Sequence, residues 1–179
     1  FMNCVKKFEE TMLNEIKGPD PGLKITAEKT DLPKVIIENK VAKKLYKAVN
    51  AVPHGPVRFI DGMLDVPETS TNLGIVKSEN GKIVVANLIR SSVETSKHAL
   101  KESMGGLFKL AGAKVKAHGE YPGWKPNFDS PILEAMKKTY NDKYGKIPEV
   151  KIIHAGLECG VLGATYSNWD MISFGPTIR

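Results

Sequence analysis

The sequence predicts an α+β fold, with helices over one face of a mainly antiparallel sheet. Three observations predict it. Asn80-Gly81 stands between two runs of strand character, and Asn-Gly is the preferred two-residue hairpin turn because both positions take positive φ. Segments of helical and strand period follow one another as helix, strand, helix, hairpin, helix, strand. The helices are fenced by start and stop signals, such as Ser130-Pro131 before one and Gly145 after it.

Taken in order, residues 4–16 place Val5, Phe8, Met12 and Ile16 three and four apart, the mark of an amphipathic helix. Gly18-Pro19 stops it. Residues 22–28 alternate, with Leu23, Ile25 and Ala27 on one face, and read as a strand. Asp31 with Pro33 in the first turn opens a helix to about Asn50, with Val41, Leu45 and Val49 as its seam. Pro53-His54-Gly55-Pro56 is a loop, and 57–66 is extended but irregular.

Residues 71–77 and 82–90 form the hairpin. On its second strand Val84, Ala86, Leu88 and Arg90 share one face by the period of two. An arginine that closes an apolar face either snorkels at the sheet edge or waits for an anion, and the pattern leaves both open. Ser91 three residues before Glu94 reads as a capping box. It opens a helix to about Ala111 with Leu100, Met104, Leu107 and Leu110 inside, ended by Gly112. Residues 114–120 read as another strand.

Tyr121-Pro122-Gly123-Trp124-Lys125-Pro126 is the boundary candidate, since two prolines and a glycine do not continue a strand. Ser130-Pro131 then caps a helix to about Tyr144. Residues 150–153 are an apolar, β-branched run that reads as a short buried strand. It leads into Ile153-His154-Ala155-Gly156-Leu157-Glu158-Cys159-Gly160, where Gly156 breaks the chain and 157–162 start a helix. Asn168-Trp169-Asp170 is a turn, and 171–174 a final short strand.

Bulk properties narrow the function classes. The 179 residues carry a formal net charge of +6, with lysines spread among acids rather than in a block, so a nucleic-acid tail is not indicated. The two cysteines, Cys4 and Cys159, are far apart, which argues against a disulfide framework and a structural zinc site and suits a reducing cytoplasm. No apolar run approaches the ~20 residues of a membrane span, and no signal peptide is visible. The chain begins at Phe1 without an initiator methionine at position 1 and stops at Arg179 directly after a strand-like run, so a segment of a longer protein is expected.

No nucleotide-binding, zinc-protease or serine-hydrolase motif is present, and His54, His98, His118 and His154 have no ligand-like spacing. His98 and His118 read as surface residues, and Cys159 as a buried thiol. His154 is either a satisfied strand-end histidine or part of a site, and Glu158 either a solvated first-turn acid or a binding group.

The order of motifs adds a resemblance. The stretch 153–160 quoted above, followed by Asp170-Met171-Ile172-Ser173-Phe174-Gly175-Pro176-Thr177-Ile178, resembles the C-terminal part of the bacterial Xaa-His dipeptidases (aminoacyl-histidine dipeptidases, or peptidase D). Glu68-Thr69-Ser70-Thr71-Asn72-Leu73-Gly74, Leu88-Ile89-Arg90-Ser91, and Leu110-Ala111-Gly112-Ala113-Lys114 with Tyr121-Pro122-Gly123-Trp124 resemble the same family in the same order. The likeness covers the chain from about Val52; the first fifty or so residues match only by pattern.

The resemblance implies a cytoplasmic zinc metallopeptidase of the aminoacylase and carboxypeptidase type, with a two-metal catalytic domain and an inserted lid domain that dimerises. There a metal-activated water attacks the peptide bond. Residues 1–120 would be the second half of the lid, a lid-type antiparallel sheet with helices on one face. Residues 121–179 would be a C-terminal piece of the catalytic domain, a partial α/β segment lacking the last metal-binding segment. The His-x-Asp and Glu-Glu ligand motifs of the family are not in this sequence, so the zinc ligands would lie outside it and the segment alone would be inactive. Residue by residue, Arg90 matches the lid arginine that holds the substrate's C-terminal carboxylate, and Asn72 a lid asparagine near the substrate or the partner's active site. His154 and Glu158 match the substrate-binding turn of the catalytic domain, with Glu158 facing the substrate's amino end. The implied partners are a dipeptide substrate and a second copy through the lid, with no nucleic acid or membrane. Two alternatives stand beside this reading: another metallopeptidase or amidohydrolase of the same family, and a non-catalytic dimerisation or binding module.

Overall fold

The computed structural model describes residues 1–16, 18–154 and 157–175, and among them every strand pairing is antiparallel. They fall into two compact units, Phe1–Glu38 and a second that begins at Asn39. The first unit holds helix α1, Met2–Ile16, as the 3.6-residue period requires. Residues 22–28 keep the expected alternation, with Leu23, Ile25 and Ala27 half-buried and their neighbours exposed. They are nevertheless not a strand. No second strand pairs with them among the described residues, and the Ile25 N–H donates instead to Glu9 Oε1 at 3.2 Å.

The second unit opens with α2, Asn39–Ala51. This helix starts eight residues beyond the Asp31-Pro33 signal. Leu32, Val35 and Ile36 are 94%, 83% and 80% exposed, so nothing packs on that stretch to offset the poor helix propensity of its β-branched run. A three-stranded sheet follows in the order β1-β2-β3: β1, Gly55–Ile60; β2, Met63–Glu79; β3, Lys82–Ser91. The β2–β3 turn is the expected one, with Asn80 at φ 52° and Gly81 at φ 69°. The irregular 57–66 region is a second hairpin. Ile60 pairs with Met63 around Asp61-Gly62, and three register shifts along β1 explain why its period is hard to read.

Helix α3, Glu94–Leu110, lies on one face of the sheet against β3. Leu100 and Met104 are buried with Val52, and Leu73, Ile89, Leu107 and Phe108 pack around them. Leu110, expected inside, is 86% exposed: it lies at the edge of the stripe that Leu107 and Phe108 continue. The capping box does not form. Ser91 is the last residue of β3, paired with Thr69, and Glu94 is the first residue of the helix rather than its third. Ser91 Oγ accepts the Val93 N–H at 3.0 Å as a local turn.

Beyond α3 the helices fall as expected and the strands do not. Helix α4, Pro131–Tyr144, is capped by Ser130, whose Oγ accepts the Leu133 N–H at 3.1 Å, and it ends at Gly145 in the left-handed region. Asp170 accepts from Ser130 Oγ and the Ile132 N–H, both at 2.9 Å, and ties the turn after α5 to this cap. Helix α5 is Glu158–Thr165. Residues 114–120, 150–153 and 171–174 carry no strand, because a strand needs a ladder neighbour and these have none among the described residues. The break expected at Gly156 and the terminal Pro176-Thr177-Ile178-Arg179 lie outside the described residues. No helix among the described residues is long and apolar enough to cross a membrane.

Candidate functional site

The sheet has an inner face toward α3 and an outer face. On β3 the more buried set is Ile83, Val85, Asn87 and Ile89; Val84, Ala86, Leu88 and Arg90 are the exposed set. Arg90 therefore closes an outer face, not a core face. On β2 the register slips between Leu73 and Ile75, making Gly74 an extra residue. A bulge shifts the alternation by one. Thr71 and Leu73 thus face the core, while Ser70 and Asn72 line the outer face. Pairing sets Ser70 opposite Arg90 and Asn72 opposite Leu88, and residues directly opposite in an antiparallel ladder share a face.

His154 reaches this corner from the C-terminal stretch. Its Nε2 lies 2.6 Å from Ser70 Oγ, and its carbonyl accepts from Arg90 Nη1 at 3.2 Å. Burial first, and then the Arg90 charge, push the imidazole below its ordinary pKa, while a hydrogen bond to the Pro67 carbonyl opposes them. The ring is neutral at pH 7.

The linker of residues 121–124 forms the wall. The Gly123 N–H donates to Glu94 Oε1 at 2.7 Å, and Lys97 Nζ donates to the same oxygen at 2.8 Å and to the Tyr121 carbonyl at 2.7 Å. Burial alone would raise the Glu94 pKa, but Lys97, the Gly123 N–H and His98 together hold it below the ordinary value. Glycine is required at the crossing: a Cβ on Gly123 would stand 2.5 Å from the Ser91 carbonyl oxygen, and one on Gly160 2.7 Å from that of Pro122.

Arg90, Ser91, Ser92, Tyr121, Gly123, Trp124 and His154 line the small recess that results, of about 30 Å³. It is lined by one full positive charge and two aromatic residues, with no carboxylate in the described lining, and the Ser91 hydroxyl is already engaged by Thr69 Oγ1 at 2.8 Å and the Val93 N–H at 3.0 Å. Such a site suits a small anion, because a guanidinium can grip a carboxylate through a two-bond fork.

Of the four residues expected at the site, Arg90 and His154 meet in the recess. Asn72 lies on the same outer face two ladder pairs from Ser70, with its Nδ2 turned toward Gly74, and does not line the recess. Glu158 is exposed as the first residue of α5 and is likewise not in the lining. Ser70 was not anticipated. The signal for it lay in its spacing of two from Asn72, which puts both on one face, but its pairing with Arg90 depends on the Gly74 bulge. Among the described residues no three His, Cys, Asp or Glu side chains cluster as metal ligands would. The described residues thus do not fit a metal ion.

No protein-family model matches the chain. It is 36% identical over 176 residues to the cytosol non-specific dipeptidase of Escherichia coli (strain K12), covering 98% of this chain and 36% of the relative. Its fold matches the crystal structure of aminoacylhistidine dipeptidase from Vibrio alginolyticus with a TM-score of 0.88 and 34% identity, over 97% of this chain and 36% of that one. The chain therefore spans just over a third of the length of these dipeptidases and, over that stretch, is homologous to them in sequence and shares their fold.

Proposed function

We propose that the chain is a segment of a cytoplasmic, metal-dependent dipeptidase that hydrolyses Xaa-His dipeptides, with Arg90 gripping the substrate's terminal carboxylate. The supporting observation is the recess itself. A guanidinium at the end of an outer sheet face stands beside a neutral histidine, without a competing carboxylate, in a chain homologous to part of two dipeptidases. Residues 1–120 serve as the second half of the lid and 121–179 as a C-terminal piece of the catalytic domain. Asn72 and Glu158 approach the substrate from beside the recess, Glu158 toward the ammonium end. Zinc is held by residues outside this chain, which by itself is inactive. The outer face, with Val84 51% and Leu88 48% exposed, and the edges of β1 and β3, unpaired among the described residues, support a homodimer through the lid.

A second reading is favoured by one relative's name: a dipeptidase of the same family without histidine preference. The test is to produce the full reading frame with zinc and assay β-alanyl-histidine, glycyl-histidine and dipeptides without histidine. Preference for histidine supports the first reading, and equal turnover the second. A zinc-loaded, dimeric product inert on all of them leaves a non-catalytic dimerisation module and refutes both.

A further inference from the structure

Ser70 is outside the recess lining, yet it holds the residue that shapes the recess. Its ladder partner is Arg90. Its Oγ meets His154 Nε2 at 2.6 Å, and Arg90 Nη1 donates to the His154 carbonyl at 3.2 Å. Ladder pair, ring bond and carbonyl bond close a three-residue circuit. We infer that Ser70 is a positioning residue for substrate binding: its hydroxyl donates to Nε2 of a His154 ring protonated on Nδ1, which fixes the ring and, through the His154 carbonyl, the aim of the Arg90 guanidinium. The inference rests on the proposed role of Arg90 and His154.

The chemistry is specific. A neutral imidazole has one acceptor nitrogen and one N–H, so a hydroxyl donor at Nε2 selects one tautomer. Arg90 is exposed and its long side chain has many rotamers to lose. One N–H bonded to a fixed carbonyl restricts that freedom and leaves further donors of the fork for a carboxylate. Loss of the Ser70 hydroxyl therefore acts on binding geometry and not on bond cleavage.

The experiment compares wild type, Ser70→Ala and Ser70→Thr in the full-length polypeptide on an Xaa-His dipeptide. Removing one such hydrogen bond is expected to raise KM about tenfold with kcat within about twofold. Ser70→Thr, which keeps the hydroxyl, is expected to restore wild-type KM. Unchanged KM in Ser70→Ala, a loss in kcat alone, or failure of threonine to restore binding overturns the inference. Imidazole ¹⁵N spectra of the wild type, assigned with His154→Asn, test it without relying on the fold of a Ser70 variant. An unprotonated Nε2 supports it, and an Nε2–H tautomer overturns it. A wild-type polypeptide that cleaves no dipeptide instead refutes the functional reading and takes the inference with it, whereas intact cleavage with an indifferent Ser70→Ala sinks the inference alone.

Discussion

The sheet and α3 on one side, and the stretch after residue 120 on the other, solve the same problem with opposite success. The two hairpins carry their own ladder partners a few residues away, and α3 covers their inner face with Leu100 and Met104. The later stretch has apolar runs of equal quality that stay uncovered: Val150 is 54%, Ile153 57% and Phe174 78% exposed. A strand pattern is a statement about what a segment would bury. Whether it becomes a strand depends on a neighbour that supplies N–H and C=O groups. The local hairpins have one and, among the described residues, the later runs do not, which supports the proposal that their neighbours belong to a longer polypeptide.

The largest effects should separate these regions. Met104 is 4% exposed in the core, and Met104→Ala is expected to cost about 2–5 kcal/mol in chemical denaturation. Ile153→Ala in this chain should stay within about 0.5 kcal/mol. In the full-length polypeptide the Ile153→Ala cost should rise to about 2 kcal/mol or more, as for any core truncation. An Ile153→Ala cost that stays small there would break the comparison, since it would mean that the run is never covered.

The seam between the regions comes next. At Gly123 the clash of an added Cβ would be with backbone, which cannot swing away. Gly123→Ala should cost about 1–3 kcal/mol by overpacking, read as a fall in melting temperature. Gly106 in α3, whose added Cβ would meet nothing within 4 Å, is the control, and Gly106→Ala should be neutral or stabilising. Equal effects at the two glycines would show that the linker is not pressed onto the Ser91–Ser92 corner.

The same contrast explains what was legible in the sequence. Asn80-Gly81, the Ser130-Pro131 cap and the Gly112 and Gly145 stops are local chemistry, and each stands where its residues place it. Asp61-Gly62 is a turn signal of the same kind, but the bulged β1 hid its flanking period. The capping box at Ser91 failed for a non-local reason: the ladder with Thr69 kept Ser91 in β3, and Glu94 was drawn to Lys97 and Gly123. Period two grouped Val84, Ala86, Leu88 and Arg90 correctly, but it does not say which face a helix will cover. Arg90 and His154 were marked by motif, whereas Ser70 emerged only once the Gly74 bulge fixed its partner.

A smaller effect tests the α4 cap. Ser130→Ala removes the acceptor for the Leu133 N–H and one donor to Asp170, and should cost about 1 kcal/mol, the usual value of an N-cap. The Ile132 N–H holds Asp170 below its ordinary pKa of 3.8; desolvation opposes this, and Ser130 and Asn127 assist. A group with a lowered carboxylate pKa contributes stability above the unfolded value, and that contribution is lost as pH falls through the folded one. The cost of Ser130→Ala should therefore shrink in acid below pH 3.8. A cost independent of pH would leave the cap alone, without Asp170, holding α4.

The smallest effect probes the bond that joins the two regions at the recess. His154 has a folded pKa below 6.5, set by burial and by Arg90 against the Pro67 carbonyl. Above 6.5 the ring is neutral in both folded and unfolded chains and adds no pH dependence. As pH falls below 6.5 the unfolded chain takes the proton first, so stability declines with acid until the folded pKa is passed. Melting curves between about pH 7 and pH 5 should show wild type losing more stability than His154→Gln over that window. Protonation also places two positive charges side by side. A carboxylate bound at Arg90 should then oppose the loss, and a dipeptide ligand should flatten the wild-type profile. A slope that is the same in wild type and His154→Gln would mean that the imidazole does not sense Arg90. The corner would then be a contact between two regions and not an electrostatically organised site.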